Sequence, residues 1–196
     1  MNSLTQTNNN NLVTGSLFEM SKRNGQSLAE TFIGCDVVIL VDTSGSMCST
    51  DSRGGKSRYD VACEDLKALQ GSLPGKIAVL SFSSDVMFCP SGVPIFQAGG
   101  TDMAKALQFA KIADAVEEMK FILISDGEPD DKIETLKVAK TYKNRIDVIF
   151  VGDENIPTGR VFLEKLSATT GGQTIVKDRV KELSEGIKFL LAEGKR

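Results

Sequence analysis

Three oxygen-bearing side chains occur at alternate positions directly after an apolar run. The run ends at Val41, and Asp42, Ser44 and Ser46 follow it. One residue of this kind is ordinary in a turn, where its side chain bonds to the nearby backbone. Three of them in register predict that a ligand binds above the end of the strand.

Two later segments carry side chains of the same chemistry. Gly99-Gly100-Thr101 precedes a predicted helix, and Asp126 follows another apolar run. Carboxylate and hydroxyl oxygens without sulfur or imidazole suit a hard cation, Mg²⁺ first and Mn²⁺ or Ca²⁺ next. Two carboxylates balance the charge of such an ion. If the hydroxyls bind it directly and the carboxylates partly through water, the ion stays electrophilic toward an oxygen from outside. The candidate metal ligands are Asp42, Ser44, Ser46, Thr101 and Asp126.

The elements that must position these residues alternate between strand and helix. Continuously apolar runs are typical of parallel strands covered on both faces, and they occur at 36–41, 77–82, 121–125 and 146–151, with a weaker run at 173–176. Helices are predicted at 58–70, 102–114, 131–143, 157–169 and 178–192, and a short edge hairpin at 85–96. This order predicts a doubly wound α/β fold. Its mostly parallel central sheet is flanked by helices and has one short antiparallel edge strand, and its ligands bind at the carboxyl ends of the strands.

The composition of the chain and the start of the strand–helix pattern predict the domain organisation. Residues 1–15 are polar and rich in asparagine, which predicts a disordered terminus. Residues 16–34 form an N-terminal extension that could contain a short helix, and residues 35–196 form the α/β domain.

Composition excludes several classes of function. The chain has no histidine, which excludes a Ser-His-Asp triad and a His-ligated zinc within it. The net charge of −3 comes without a basic stripe, so nucleic acid is not a favoured partner. No apolar run approaches the ~20 residues of a membrane span. The four cysteines form no CxxC pair or disulfide framework, which predicts a reducing, cytoplasmic location.

Taken together, these motifs resemble the metal-ion-dependent adhesion site of the von Willebrand factor A (vWA) family. The resemblance rests on Asp42-x-Ser44-x-Ser46, Thr101 after two glycines, and Asp126 in a Ser-Asp-Gly loop, and it covers residues 35 to about 192. It implies that Ser44, Ser46 and Thr101 contact the metal, that Asp42 and Asp126 bind it directly or through water, and that the site is intact.

The resemblance also implies a function. A Glu or Asp of a partner protein would complete the coordination of Mg²⁺, and the chain would be a binding module rather than an enzyme. Stand-alone bacterial and phage members of the family resemble assembly or regulatory subunits that work beside AAA+ ATPases or kinase–phosphatase pairs.

Two other functions stay open at this stage. A Mg²⁺-dependent phosphatase of the haloacid dehalogenase type also ends a strand in an aspartate, here Asp42, but its acid/base aspartate would stand at the position of Ser44. An RNA-associated factor is the third reading, and the acidic balance of the chain argues against it.

Individual residues also have plain structural readings. Asp42 and Asp126 could be turn residues, and Thr101 could cap a helix. Cys48 is expected to be a small buried side chain, and residues 49–56 a mobile loop. The acidic residues after Gly127 are expected to stabilise the first turn of a helix rather than bind metal, namely Glu128, Asp130 and Asp131.

Overall fold

A six-stranded sheet forms the centre of the molecule. The computed structural model describes residues 12–153 and 157–176, together with residues 185 and 187. The strands are β1 (Val37–Asp42), β2 (Ile77–Phe82), β3 (Val86–Phe88), β4 (Lys120–Ser125), β5 (Ile146–Phe150) and β6 (Thr174–Val176). Their order across the sheet is β3-β2-β1-β4-β5-β6, and β3 alone among them runs antiparallel to its neighbour. The predicted doubly wound, mostly parallel sheet with one short antiparallel edge strand is therefore confirmed.

Helices cover both faces of this sheet. They are α1 (Leu17–Asn24), α2 (Leu28–Ile33), α3 (Arg58–Ser72), α4 (Met103–Ala110), α5 (Lys132–Ala139) and α6 (Pro157–Thr169). Every residue of β1 and β2 is buried, as continuously apolar strands require when helices pack on each side. On one face Val38 and Leu40 belong to a core with residues of α4 and α6. On the other face Val37 and Ile39 pack with residues of α3.

Capping residues set the starts of the helices. Ser57 accepts the backbone N–H of Asp60 at the start of α3, and Asp131 accepts two N–H groups at the start of α5. Asp131 therefore stabilises the first turn of α5, as expected, and does so as its cap. The predicted helix 102–114 is α4 followed by a 3₁₀ turn at Lys111–Ala115. The predicted helix 178–192 lies outside the described residues except for positions 185 and 187, and Ile187 is buried on the α3 face.

The N-terminal extension holds two short helices against the domain. Gly25 ends α1 in the left-handed conformation, with φ of 65°, and Ser27 opens α2 with a capping box. Leu17 of α1 is buried in the core. Residues 1–15 are predicted to be disordered, whereas Val13 is already buried, at 3% exposure.

Candidate metal site

The sheet reverses its winding between β1 and β4. Connections lead outward to β2 on one side and to β5 on the other, so β1 and β4 flank the switch point where α/β folds form ligand crevices. The register pairs Val41 with Ile124, which places Asp42, the last residue of β1, beside Ser125, the last residue of β4. Asp126 follows directly. The two predicted carboxylates therefore lie at one edge of the sheet because their strands are parallel neighbours.

Asp42 is a fully buried carboxylate, with 0% exposure. Its Oδ2 accepts a hydrogen bond from Ser125 Oγ at 2.6 Å, and its Oδ1 accepts one from the Ser44 backbone N–H at 2.8 Å. Burial, with a smaller contribution from the charge of Asp126, raises the pKa of Asp42 from 3.8 to about 6 against the lowering effect of these hydrogen bonds. The groups that act on Asp42 are hydroxyls, a backbone N–H and a second carboxylate, so the site concentrates negative charge away from water.

The two serines extend this site toward Asp126. Ser44 has extended backbone, and the 3₁₀ turn Gly45–Cys48 follows it at once, which carries Ser46 back toward the same edge. Ser44 Oγ lies 3.1 Å from Ser46 Oγ, and Ser46 Oγ donates to Asp126 Oδ1 at 2.8 Å. An unbroken series of hydrogen bonds thus joins four of the five predicted residues, from Asp42 through the serines to Asp126.

Thr101 reaches the same edge through its backbone. The Gly45 N–H donates to Gly99 O at 3.4 Å, which ties the loop after β1 to the loop before α4. The Thr101 N–H donates to Asp130 Oδ2 at 3.0 Å, and Thr101 O accepts the Asp130 N–H at 3.0 Å. These hydrogen bonds join the loops after β1, before α4 and before α5 at one edge of the sheet, and Thr101 makes two of them.

The two glycines before Thr101 allow this close approach. Gly99 has φ of 97°, a conformation that side chains rarely tolerate. A Cβ on Gly100 would lie 2.5 Å from Asp130 Oδ2, the atom that holds the Thr101 N–H. The expectation that Thr101 caps the helix is wrong, since the side chain of Asp102 accepts the Lys105 N–H in that role.

Arg58 is a member of this site that the sequence analysis missed. Its Nη1 lies 2.6 Å from Asp126 Oδ2, and its Nε donates to Asp51 Oδ1 at 3.0 Å. The side chain of Arg58 is 10% exposed and that of Asp126 only 1% exposed. Arg58 is the first residue of α3, and nothing in the local pattern RGGKSR indicates that it turns back to the strand ends.

Neighbouring residues take other roles. Glu128 pairs at 2.7 Å with Lys132, the first residue of α5, as expected of a residue near the start of that helix. Asp130 accepts the Thr101 N–H instead, so the expectation that it stabilises the first turn of the helix is wrong. Cys48 is exposed, so its predicted burial is wrong, because the 3₁₀ turn buries Met47 instead. Residues 49–56, predicted to be a mobile loop, contain the 3₁₀ turn Arg53–Gly55 and the Asp51 partner of Arg58.

The donor set fits a hard cation held in part by neutral ligands. All of its side-chain donors are oxygens, as Mg²⁺, Mn²⁺ and Ca²⁺ prefer. Among the described residues, no cluster of three or more acidic, cysteine or histidine side chains is suited to a metal ion. A cation at this edge would therefore need hydroxyl ligands beside its carboxylates, and Ser44 and Ser46 lie where such ligands are needed.

An apolar cavity lies away from this site. It has a volume of about 540 Å³ and lies between α2, α4 and the sheet, with Phe32, Leu80 and Phe109 among its lining residues. Its walls carry no titratable side chain, so they offer no groups for the chemistry predicted at the strand ends.

No protein-family model and no curated protein matches this sequence. Solved structures match it in fold. BatB from Bacteroides thetaiotaomicron has a TM-score of 0.65 at 17% identity, over 82% of this chain and 98% of BatB. An aerotolerance-related membrane protein from Bacteroides fragilis NCTC 9343 has a TM-score of 0.62 at 16% identity, over 82% of this chain and 100% of that chain. A von Willebrand factor type A from Catenulispora acidiphila has a TM-score of 0.61 at 19% identity, over 81% of this chain and 42% of that chain.

The chain has a von Willebrand factor A fold. Within this vWA fold, the series of hydrogen bonds from Asp42 to Asp126 lies at the switch point between β1 and β4. In the part of the chain that the structure describes, no helix has the length and apolar character to cross a membrane.

Proposed function

We propose that this chain is a metal-dependent protein-binding module with a regulatory or assembly role. Asp42, Ser44, Ser46, Thr101 and Asp126 would hold Mg²⁺, and a Glu or Asp of a partner protein would complete its coordination. The observation that carries the proposal is the series of hydrogen bonds from Asp42 to Asp126 at the switch point of a vWA fold. The bound ion would supply a positive point charge for the partner's carboxylate.

The buried charge of Asp42 supports a cation at this place. Above a pH of about 6 this carboxylate is ionised, and the groups acting on it include no lysine or arginine. A buried charge is costly unless a counter-charge accompanies it. A divalent ion beside Asp42 would supply that counter-charge, whereas a purely structural turn residue would be more stable as asparagine.

The ligand types support binding over catalysis. Hydroxyls are neutral, so a site of this composition leaves the ion attractive to an incoming carboxylate. The comparisons give no support to the phosphatase alternative, and the position two residues after Asp42 is Ser44 rather than the aspartate that chemistry needs. We expect no Mg²⁺-dependent hydrolysis of p-nitrophenyl phosphate.

Partner capture tests the proposal. Immobilised wild-type protein is incubated with cell lysate in Mg²⁺ and in EDTA, beside the Ser44→Ala/Ser46→Ala double variant, and retained proteins are read by mass spectrometry. Ser72→Ala, at the far end of α3, serves as a serine control. A protein retained only in Mg²⁺, and only by the wild type and Ser72→Ala, supports the proposal. The same set of proteins under every condition contradicts it.

A further inference from the structure

Arg58 forms an ion pair with a carboxylate of the proposed metal site. Its guanidinium lies between Asp126 inside the site and Asp51 outside it, with both Nε and Nη2 bonded to Asp51. The pair with Asp126 is withdrawn from water on both sides, whereas the side chain of Asp51 is 42% exposed. The arrangement is a buried cation with one partner in the site and one partner at the surface.

The two oxygens of Asp126 have different partners. Oδ2 is held by Arg58 at 2.6 Å, while Oδ1 accepts from Ser46 Oγ at 2.8 Å on the side of the candidate ligands. Arg58 thus fixes the orientation of this carboxylate and leaves one oxygen toward the site. It also neutralises a charge that would otherwise attract a divalent ion, and its own positive charge repels one.

We propose that Arg58 is a built-in counter-cation that weakens divalent-ion binding by the free protein, and that Asp51 offsets this effect. The inference rests on the proposed function, since it concerns the same site. In the free protein Arg58 satisfies Asp126, so an ion gains less from that carboxylate than from an unpaired one. Because the free protein then has a low affinity for the ion, tight binding of the ion depends more strongly on the carboxylate that a partner protein supplies.

The proposal predicts effects of opposite sign for two substitutions. Arg58→Met keeps the apolar stem but removes the charge, which leaves the buried Asp126 carboxylate without its cation, and a divalent ion then becomes its counter-charge. We expect Arg58→Met to bind Mg²⁺ and Mn²⁺ at least about tenfold more tightly than the wild type. Asp51→Asn leaves the charge of Arg58 uncompensated on its outer side, and we expect it to bind both ions more weakly.

The experiment is a calorimetric titration of purified full-length variants with MgCl₂ and with MnCl₂. Arg145→Met is the matched control, because Arg145 also pairs with an aspartate that is 1% exposed, Asp147 on β5. Arg58→Lys restores a positive charge and should return the affinity toward that of the wild type. Thermal unfolding supplies a second readout: in EDTA the Tm of Arg58→Met should fall, and Mg²⁺ should raise it by more than it raises the wild-type Tm.

The outcomes separate this inference from the proposed function. Unchanged or weaker metal binding by Arg58→Met, with wild-type binding intact, overturns the inference alone. Equal shifts in Arg58→Met and Arg145→Met also overturn it, because the effect would then not be specific to the site. If neither the wild type nor Arg58→Met binds either ion, the proposed function fails and the inference with it.

Discussion

Replacement of Asp42 by asparagine should stabilise the metal-free protein at neutral pH. Burial raises the pKa of Asp42 from 3.8 to about 6, so the folded protein favours the protonated carboxyl. The stabilisation from this preference is complete below a pH of about 4 and is lost as the pH rises through about 6. At about 1.4 kcal/mol per pKa unit, ionised Asp42 costs about 3 kcal/mol of unfolding free energy at pH 7.

Asparagine has the shape to keep both hydrogen bonds of Asp42. Its Oδ1 can accept the Ser44 N–H, and its Nδ2 can donate to Ser125 Oγ, which also accepts the Gly127 N–H, so the Ser125 hydroxyl proton must turn toward another acceptor. We therefore expect Asp42→Asn to gain up to about 3 kcal/mol above pH 7 and nothing below a pH of about 4. Mg²⁺ should then stabilise the wild type and leave Asp42→Asn unchanged, because the variant lacks a ligand of the proposed site.

Urea denaturation across this pH range, in EDTA and again in Mg²⁺, measures both effects. Asp114→Asn is the control of opposite sign. Burial raises the pKa of Asp114, but the hydrogen bonds from Lys111 and from the backbone of Lys143 and Asn144 outweigh it and hold the pKa below its usual value. That variant should therefore be less stable than the wild type by a constant amount above a pH of about 4, and the difference should shrink only as the pH falls below that value. The reasoning is refuted if Asp42→Asn is less stable than the wild type in EDTA at high pH, or if their difference does not change with pH.

Three further substitutions test parts of the site. Thr101→Ala should weaken capture of the partner more than it weakens Mg²⁺ binding, because Thr101 lies on the separate loop before α4, which we expect to shift when a partner's carboxylate binds; equal losses in both assays would contradict this. Gly100→Ala places a Cβ against Asp130 and should break the bond from the Thr101 N–H, at a cost of about 1 kcal/mol in urea denaturation; unaltered stability would mean that the loop adjusts freely. Ser125→Ala removes a hydrogen bond that lowers the pKa of Asp42, so the carboxyl should become protonated at a higher pH than in the wild type. Mg²⁺ titrations at decreasing pH should therefore show that the variant stops binding the ion at a higher pH than the wild type does. A midpoint pH equal to that of the wild type would argue against Asp42 as a ligand.

The sheet was predictable because its strands are buried on both faces. An uninterrupted apolar run such as 77–82 fits few structures other than a buried strand, and β2 begins and ends at those residues. The position of Asp42 and Asp126 at one edge then follows from parallel neighbours and the switch-point rule. What the sequence pattern specified well was therefore the scaffold and the edge at which the candidate side chains meet.

The contacts within that edge were less predictable because they depend on long-range geometry. Arg58 is separated by 68 positions from Asp126, and no local pattern links the two. Thr101 and Asp102 can both cap a helix, and the backbone angles decide which of them does so. Those angles cannot be predicted from two adjacent polar residues. The exposure of Cys48 depends on the 3₁₀ turn Gly45–Cys48, and a stretch of four residues is too short for such a turn to be predicted from the sequence.

The central claim is that the oxygens at the ends of β1 and β4 hold a divalent ion. Calorimetric titration of the wild type and of Ser44→Ala/Ser46→Ala with MgCl₂ tests it most directly, with thermal unfolding in EDTA to show that both proteins are folded. We predict saturable binding of one ion by the wild type and none by the double variant, at similar Tm. Binding of equal affinity by both proteins, or by neither, would contradict the claim.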